Sequence, residues 1–302
     1  MATSTYLRSP ALASTTLVVM WSSGFVGAEL SRRAGVQPLT TLGWRFTILA
    51  ALLVSVSVVR GMRRPTWEAW RRQALVGVLC QPIYLVCVFE GVANGVPGGT
   101  AALIAALQPL LVATVAGPVL GERATRVMWV GMALGLVGVA VVVSGDVGVT
   151  QAPWWAFLLP TLGMLSLATG TVVERRIKPP EDMLATITMQ AVVTALMIDV
   201  VAGVTGHVVP PMAWDFWAAV AWLTVLSSLG GYVMYVHVSR TQGATVVSTL
   251  LYLTPPTTML WTFLMFRSPV HAAGFAGLAI SAVGVWLVLR SRRAAALRLV
   301  QV

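Results

Sequence analysis

The sequence predicts an all-α, polytopic membrane protein with ten transmembrane helices, arranged as two inverted five-helix repeats around a central cavity. Three observations predict this fold. Only 10% of the 302 residues are charged, whereas soluble domains carry about 25%. The apolar residues come in blocks of about 20, the length that crosses a bilayer core. Landmark residues also recur at a fixed offset of 146 positions.

The apolar blocks define the predicted spans. Each block is continuously hydrophobic rather than alternating, which favours helices over a transmembrane β-barrel. The connecting segments are short, so the sequence predicts no soluble domain. The ten predicted spans are 11–30, 39–59, 74–91, 97–119, 128–147, 153–174, 183–204, 216–238, 243–265 and 271–290.

The net charge of +10 is explained by membrane topology. If both termini and the even-numbered loops are cytoplasmic, that side carries sixteen of the twenty Lys and Arg residues, and the other side carries Arg32, Arg33 and Arg267. This excess fits the positive-inside rule. The sequence therefore predicts a multi-pass protein of the cytoplasmic (inner or plasma) membrane with both termini in the cytoplasm. A nucleic-acid partner is not needed to explain the charge.

An internal repeat is visible when the chain is shifted by 146 residues. Gly24 then aligns with Gly170, and Pro109 aligns with Pro255. Because each repeat holds an odd number of spans, the second repeat must enter the membrane from the opposite side. Inverted repeats are typical of secondary transporters, whose substrate site lies near the midplane between the repeats. The predicted domains are 1–148 and 149–302, the second with a basic C-terminal tail.

The repeated prolines, Pro109 and Pro255, interrupt apolar spans near their middle. A proline removes one backbone hydrogen bond of a helix and bends it. Two interpretations stay open. The bend is a static kink, or it is a point at which the helix flexes during gating.

Several motifs resemble the EamA-type transporters of the drug/metabolite transporter (DMT) superfamily. They are TAALIAALQPLLVATVAGPVLGER followed by GMALGLVGV, the stretch Trp21-Ser22-Ser23-Gly24-Phe25-Val26, and Trp44-Arg45-Phe46. The resemblance covers nearly the whole chain and implies a ten-helix fold and the export of small metabolites or amino acids. The second repeat departs from the pattern, because Arg267-Ser268-Pro269 stands where Gly121-Glu122-Arg123 would recur.

Four ionisable residues fall inside the predicted spans: Glu29, Arg45, Glu90 and Asp199. Each costs about 2.5–3.5 kcal/mol on insertion scales, so such residues are functional candidates by default. In one interpretation Arg45 forms an ion pair with Glu29 or Glu90, and Asp199 lies in a helix interface. In the other, the four form a charged outer gate that recognises the ends of a zwitterion, or a carboxylate carries a proton for coupling.

Uncharged polar and aromatic residues recur on single faces of several spans. They are predicted to face a solute pathway or a neighbouring helix, and tyrosine could stack a flat or apolar side chain. The predicted pathway residues are Trp21, Ser22, Gln81, Tyr84, Gln108, Tyr232, Tyr235, Ser248 and Tyr252.

Small residues mark spans 5 and 10 as packing helices. Gly131 and Gly135 are four residues apart, as are Gly277 and Ser281. This spacing lets two helix backbones approach closely. The sequence therefore predicts that these spans pack against other helices or form a dimer contact, in a monomer or a homodimer.

The function predicted first is a secondary transporter that exports small organic metabolites, with amino acids as the leading class. Its predicted partners are the solute, the lipid bilayer and, for coupling, protons. The runner-up is efflux of lipophilic drugs or of another metabolite class, and the alternative from another class is a non-transporting membrane scaffold. An ATP-binding loop, a nucleophile with a base and clustered metal ligands are all absent from the sequence. No enzyme activity, metal or cofactor is therefore predicted.

Overall fold

A computed structural model describes residues 9–62, 64–112, 126–146, 150–177, 180–242, 247, 250–268 and 271–300. The described part is built from helices and short connections. We label the helices α1 to α10 in chain order. They are Pro10–Arg33, Pro38–Val59, Trp67–Ala93, Gly98–Val112, Arg126–Asp146, Leu158–Ile177, Met183–Thr205, the three-part α8 (Trp214–Trp222, Leu223–Gly231 and Tyr232–Gln242), Thr254–Phe266 and Ala272–Val300.

Seven of the described helices are long and apolar enough to cross a membrane. The segments Gly98–Val112 and Ala272–Gly284 are shorter apolar helices. The structure is therefore that of an all-helical, multi-pass membrane protein. The count of ten spans stays a prediction.

The first turns of α3 lie before the start that hydropathy predicts. The Thr66 hydroxyl caps the helix by accepting a hydrogen bond from the Ala69 N–H at 3.3 Å. The next residues are polar on one face, because Glu68 and Arg72 lie four residues apart there. A hydropathy window averages these residues with the preceding loop, so the helix begins at Trp67 rather than near residue 74.

Helices α5 and α10 pack against each other backbone to backbone. A side chain at Gly277 would strike the Gly138 carbonyl, and one at Gly284 would strike the Gly131 carbonyl. The Ser281 hydroxyl donates to a carbonyl of α5 at 3.3 Å. Residue numbers rise along one helix as they fall along the other, so α5 and α10 are antiparallel.

Helices α2 and α7, also equivalent at the 146-residue offset, likewise run antiparallel to each other. The Thr40 hydroxyl donates to the His207 carbonyl at 2.7 Å near one end of the pair. The Ser57 and Thr188 hydroxyls lie 3.2 Å apart near the other end. Two pairs of equivalent helices therefore run antiparallel, as inverted repeats require. The domain limits 1–148 and 149–302 stay a prediction.

The bundle has two ends, which we name after a residue at each. At the Glu29 end, a pocket brings together the C-terminal end of α1, the α3–α4 connection, Asp146 and His271. At the Glu181 end, the start of α3 meets the α6–α7 connection through Arg72 and Glu181.

Candidate solute pathway

Two equivalent helices are interrupted at the same register. In α4 the N–H of Leu107 donates to the carbonyl of Ile104 at 3.1 Å, which closes a three-residue turn. Before α9 the N–H of Leu253 donates to the carbonyl of Leu250 at 2.9 Å, which closes the same turn. Leu107 and Leu253 are related by the 146-residue offset, and so are Ile104 and Leu250. The breaks therefore form an equivalent pair, one in each repeat.

Pro109 and Pro255 each lie two residues after one of these turns. Because proline has no N–H, the carbonyl one turn earlier loses its usual helical donor. Ser22 of α1 donates to the Thr254 carbonyl at 3.5 Å, beside the second break. Both prolines thus lie at interruptions inside the bundle, and their role in gating stays a prediction.

Helices α3 and α8 widen into π-helical turns at equivalent positions. The segments are Leu79–Ile83, which contains Gln81, and Leu223–Gly231. The Ser166 hydroxyl of α6 donates to the Leu79 carbonyl at 2.8 Å and supports the first of these turns. π-helical turns occur frequently at functional sites. Four helices of the bundle are therefore irregular, in two equivalent pairs.

An aromatic group of three residues, Trp21, Tyr232 and Tyr235, joins α1 to α8. The rings of Trp21 and Tyr235 stack with centroids 5.5 Å apart. The rings of Tyr232 and Tyr235 lie 6.1 Å apart. All three residues are half-buried, and no described residue forms a hydrogen bond with either tyrosine hydroxyl. The group thus offers ring faces and two free hydroxyls.

The other predicted pathway residues near the breaks have different surroundings. Tyr252 packs against the apolar cluster around Ile104, which links the two interrupted helices. The Gln108 amide donates to the Thr171 hydroxyl of α6 at 3.0 Å, so it forms a contact between helices. Ser248 lies outside the described residues.

Gln81 belongs to a chain of polar side chains between α3 and α7. The Thr194 hydroxyl donates to Gln81 at 3.4 Å, and Gln81 donates to Gln190 at 2.9 Å. Gln190 donates to Gln73 at 2.9 Å, and Gln73 donates to the Glu181 carboxylate at 2.9 Å. We call these five residues the amide chain. The first four members each donate toward the Glu181 end and the Glu181 carboxylate accepts, so the chain finishes on a negative charge.

Glu181 is also bound by Arg72, whose guanidinium lies 2.6 Å from its carboxylate. Partial burial disfavours the charged form of Glu181. The hydrogen bonds from Arg72 and Gln73 outweigh this cost and hold the pKa of Glu181 below its ordinary value. The carboxylate therefore anchors α3 to the start of α7 in its ionised form.

Arg45 is 5% exposed and lies in the interior of the bundle. Its Nε donates to the Ser228 hydroxyl at 3.0 Å, and its buried Nη1 has no partner among the described residues. Tyr84 lies close enough to Arg45 for an electrostatic interaction. The predicted ion pair of Arg45 with Glu29 or Glu90 is wrong, because neither carboxylate lies within 4.0 Å of it.

Glu29 is paired within its own helix instead. Arg32 and Arg33 lie three and four residues further along α1, and both guanidinium groups reach its carboxylate, at 2.6 Å and 2.8 Å. These arginines reach Glu29 without crossing to another helix, which explains why Arg45 is left with a neutral partner. They also line a cavity of about 170 Å³ at the Glu29 end, together with Asp146 and His271.

The four predicted charged residues do not meet at one site. Asp199 lies in the α2–α7 interface, where the Thr47 hydroxyl donates to it at 2.6 Å and Gly43 leaves room for it. Glu90 is half-buried, forms no ion pair among the described residues, and lies within electrostatic range of His207. No ion pair or hydrogen bond joins any two of the four described side chains, and their role as a charged outer gate stays a prediction.

Sequence reasoning missed Glu174, which is half-buried in the last turns of α6. Its carboxylate lies close enough to Tyr232 and Tyr235 to act on both electrostatically. Glu174 is the last residue of predicted span 6 and directly precedes Arg175 and Arg176, so it is not among the four ionisable residues predicted inside the spans. Its spacing of four residues from Gly170 was the available signal, since both positions face the same side of the helix.

Comparison with known proteins fits this geometry. The model of the EamA-like transporter family matches residues 9–144 and 154–290, one stretch in each repeat. The chain belongs to the EamA-like transporter family. This EamA-like protein is therefore a multi-pass membrane transporter rather than an enzyme, and its expected partners are a small solute and membrane lipid.

Several relatives of this EamA-like transporter carry names that refer to transport. The chain is 28% identical over 249 residues to "Uncharacterized inner membrane transporter YedA" of Escherichia coli K12, covering 81% of this chain and 78% of YedA. It is 27% identical over 277 residues to the "Probable terminal-alkyne amino-acid exporter" of Streptantibioticus cattleyicolor, covering 90% and 91% of the two chains. It is 24% identical to "Uncharacterized transporter YvbV" of Bacillus subtilis over 90% and 88%.

The fold of this EamA-like transporter also matches a solved structure. One crystal structure superposes with a TM-score of 0.65 and covers 94% of this chain and 97% of the other. The two sequences are 21% identical, so the likeness concerns the fold alone.

Proposed function

We propose that this transporter exports small organic metabolites, with amino acids as the leading class, by alternating access across the cytoplasmic membrane. The distribution of Lys and Arg supports an orientation with both termini in the cytoplasm. In that orientation the Glu29 end faces outward and the Glu181 end faces the cytoplasm. Transport is driven by gradients rather than by ATP.

The observation that carries this proposal is the matched pair of interruptions in α4 and before α9. Discontinuous helices at corresponding positions of two inverted repeats are the usual location of a transporter's substrate site. Unpaired carbonyls at such breaks can bind a solute, and the breaks give each repeat a place to bend. Tyr252 lies within the second turn and packs against the apolar cluster that contains Ile104 and Leu107 of the first, which supports it as a contact for the solute.

Amino acids are favoured by two kinds of support. One relative is named as a probable exporter of an amino acid, although at 27% identity this is weak support for a substrate. The aromatic group offers ring faces for an apolar side chain, and the buried Arg45 keeps an unpartnered N–H that suits a carboxylate. These features fit a solute with both apolar and charged parts.

The test is flux into proteoliposomes that contain the purified protein. We expect uptake of a subset of a radiolabelled amino-acid panel, above the level in protein-free liposomes. Measuring each solute with and without a pH gradient would detect proton coupling. Absence of flux for every panel member, together with flux of lipophilic drugs, would favour the runner-up function.

Two variants connect the flux to the pathway. Tyr235→Ala is expected to lower efflux while membrane abundance stays at the wild-type level, because it removes a ring face and leaves the lipid-facing surface intact. Trp129→Ala is the control, since Trp129 is 56% exposed on α5. Equal flux from Tyr235→Ala and wild type would remove Tyr235 from the pathway.

The prolines test the gating part of the proposal. Pro109→Ala and Pro255→Ala restore a backbone donor at each break, so we expect slower flux with unchanged folded yield. Pro10→Ala is the matched control, because a proline in the first turn of a helix replaces an N–H that has no helical acceptor. Wild-type flux from both break variants would show that the kinks are static.

A further inference from the structure

Glu174 occupies the interior side of α6. Gly170, one turn earlier, lies against Cys80 of α3. Thr171, three residues before Glu174, accepts the hydrogen bond from Gln108 of α4. Residues three and four apart share a helix face. Glu174 therefore faces the space between α3 and α4, toward the middle of the bundle.

The Glu174 carboxylate lies within electrostatic range of Tyr232 and Tyr235 of α8 and of Cys80 of α3. Arg175, the next residue along α6, is its charged neighbour. No described residue forms a hydrogen bond or an ion pair with the carboxylate, and none binds the two tyrosine hydroxyls. The carboxylate and the two hydroxyls are thus near one another and have no protein partner among the described residues.

Three other acids inside the bundle differ from Glu174 in this respect. Glu29 is held by two arginines, and Asp199 accepts a hydrogen bond from Thr47. Asp146 accepts one from Thr100. Glu90 also forms no ion pair among the described residues, but its electrostatic neighbour is the imidazole of His207 and not a group of tyrosines. Glu174 combines an unpaired carboxylate with neighbouring aromatic faces, and an ammonium ion binds well to both kinds of group.

We propose that Glu174, together with Tyr232 and Tyr235, binds the protonated amine of the transported solute. This proposal rests on the proposed transport function and narrows its substrate class to solutes that carry an ammonium group. The Glu174 carboxylate supplies the counter-charge, and the ring faces bind the ammonium and its first methylenes. The amine of the bound solute would then lie closer to the Glu181 end of the bundle, and Arg45 lies closer to the Glu29 end.

The test is binding to the purified full-length protein, measured by equilibrium dialysis with two labelled probes. Phenethylamine carries one positive charge at neutral pH, because an alkyl amine titrates near the lysine value of about 10.4. N-acetylphenethylamine has the same ring without the charge. Wild type should bind the charged probe more tightly. Glu174→Gln should weaken binding of the charged probe by about tenfold or more, the effect of losing one partner of a desolvated charge pair, and should leave the neutral probe unchanged.

Glu68→Gln is the matched control, because Glu68 is 81% exposed at the Glu181 end. It should bind both probes as wild type does. Equal affinity of wild type for the two probes would overturn the proposal without needing any variant to fold. The proposal would also be overturned if Glu174→Gln bound both probes as tightly as wild type does, or if its affinity for both probes fell by the same factor.

The binding measurement separates this proposal from the proposed function. If wild type prefers the charged probe but moves no panel solute across a membrane, the transport proposal fails and the amine site stands. If flux is found and the charge preference is absent, the amine site fails and the transport proposal stands.

Discussion

The two ends of the bundle are held together by different interactions. One broad apolar cluster joins six helices and includes Phe25, Phe89, Phe157 and Leu223. It is widest near the Glu29 end and continues between α2 and α7 as far as Leu53 and Ala191. Nearer the Glu181 end, two smaller apolar clusters lie apart from it, one between α1 and α8 and one between α4 and α6. There the amide chain, which finishes on Glu181, connects α3 to α7.

The difference indicates which end is easier to open. A broad apolar core must lose many contacts at once, and its interior is packed densely. Each polar contact between helices contributes little to the free energy of unfolding, about 0.6 kcal/mol on average in a membrane protein. The amide chain therefore makes the Glu181 end the easier one to open, whereas the Glu29 end is held by the broader apolar contact.

The largest effect should follow from damage to the apolar core. Phe89 is 3% exposed, so Phe89→Ala leaves a cavity in the Glu29 half and should lower the free energy of unfolding by about 3–5 kcal/mol. Thermal denaturation of the purified protein in detergent measures the change. The control is Phe275→Ala, because Phe275 is 63% exposed on α10. Phe275 also lies near the Glu29 end, so equal losses from the two variants would contradict the burial of Phe89 in the apolar core.

Helix packing and helix interruptions could largely be predicted from the sequence, because glycine and proline each act through their own backbone position. Gly131 and Gly277 marked α5 and α10 as closely packed helices, since absence of a side chain is itself the requirement, but the sequence did not show that the two pack against each other. Pro109 and Pro255 marked the two interruptions, since proline lacks an N–H wherever the fold places it.

The hydrogen-bond and ion-pair partners of the polar residues could not be predicted from the sequence, because they depend on which helices are in contact. Arg45 was expected to find a carboxylate, but Glu29 is satisfied by arginines of its own helix. Gln73 lay outside the predicted span 3 and so was not considered as part of a chain inside the bundle. Glu174 was not among the ionisable residues predicted inside the spans, because it is the last residue of predicted span 6 and two arginines follow it.

A smaller effect is expected from cutting the amide chain at its centre. Gln190→Leu removes one hydrogen bond to Gln81 and one to Gln73, and leaves both amides without that partner. We expect a loss of about 1–2 kcal/mol in the free energy of unfolding, near the upper range for polar contacts between membrane helices.

The control for Gln190→Leu is Thr169→Val. The Thr169 hydroxyl donates to the Leu165 carbonyl of its own helix at 2.8 Å and is exposed. Its loss should leave the melting temperature near the wild-type value. A Gln190→Leu variant as stable as wild type would show that the amide chain does not hold the Glu181 half together.

The smallest effect should come from Glu181, and pH reveals it. Because the folded-state pKa of Glu181 is lowered, its charge stabilises the fold above the ordinary glutamate pKa of about 4.3. That contribution is lost as the pH falls through the lowered pKa. Glu181→Gln should therefore cost about 0.2–1 kcal/mol at neutral pH, the range for partly exposed ion pairs.

The stability difference between wild type and Glu181→Gln should shrink as the pH falls below the ordinary glutamate value. Melting temperatures of both proteins across an acid pH series measure this difference. Subtracting one protein from the other removes the contribution of every group that titrates equally in both. Glu68→Gln serves as the control, because Glu68 lies 3.7 Å from the same Arg72 but is 81% exposed. A difference that grows toward acid pH would mean that Glu181 is held in its protonated form. The Glu181 end would then be closed by a neutral contact rather than by a charge.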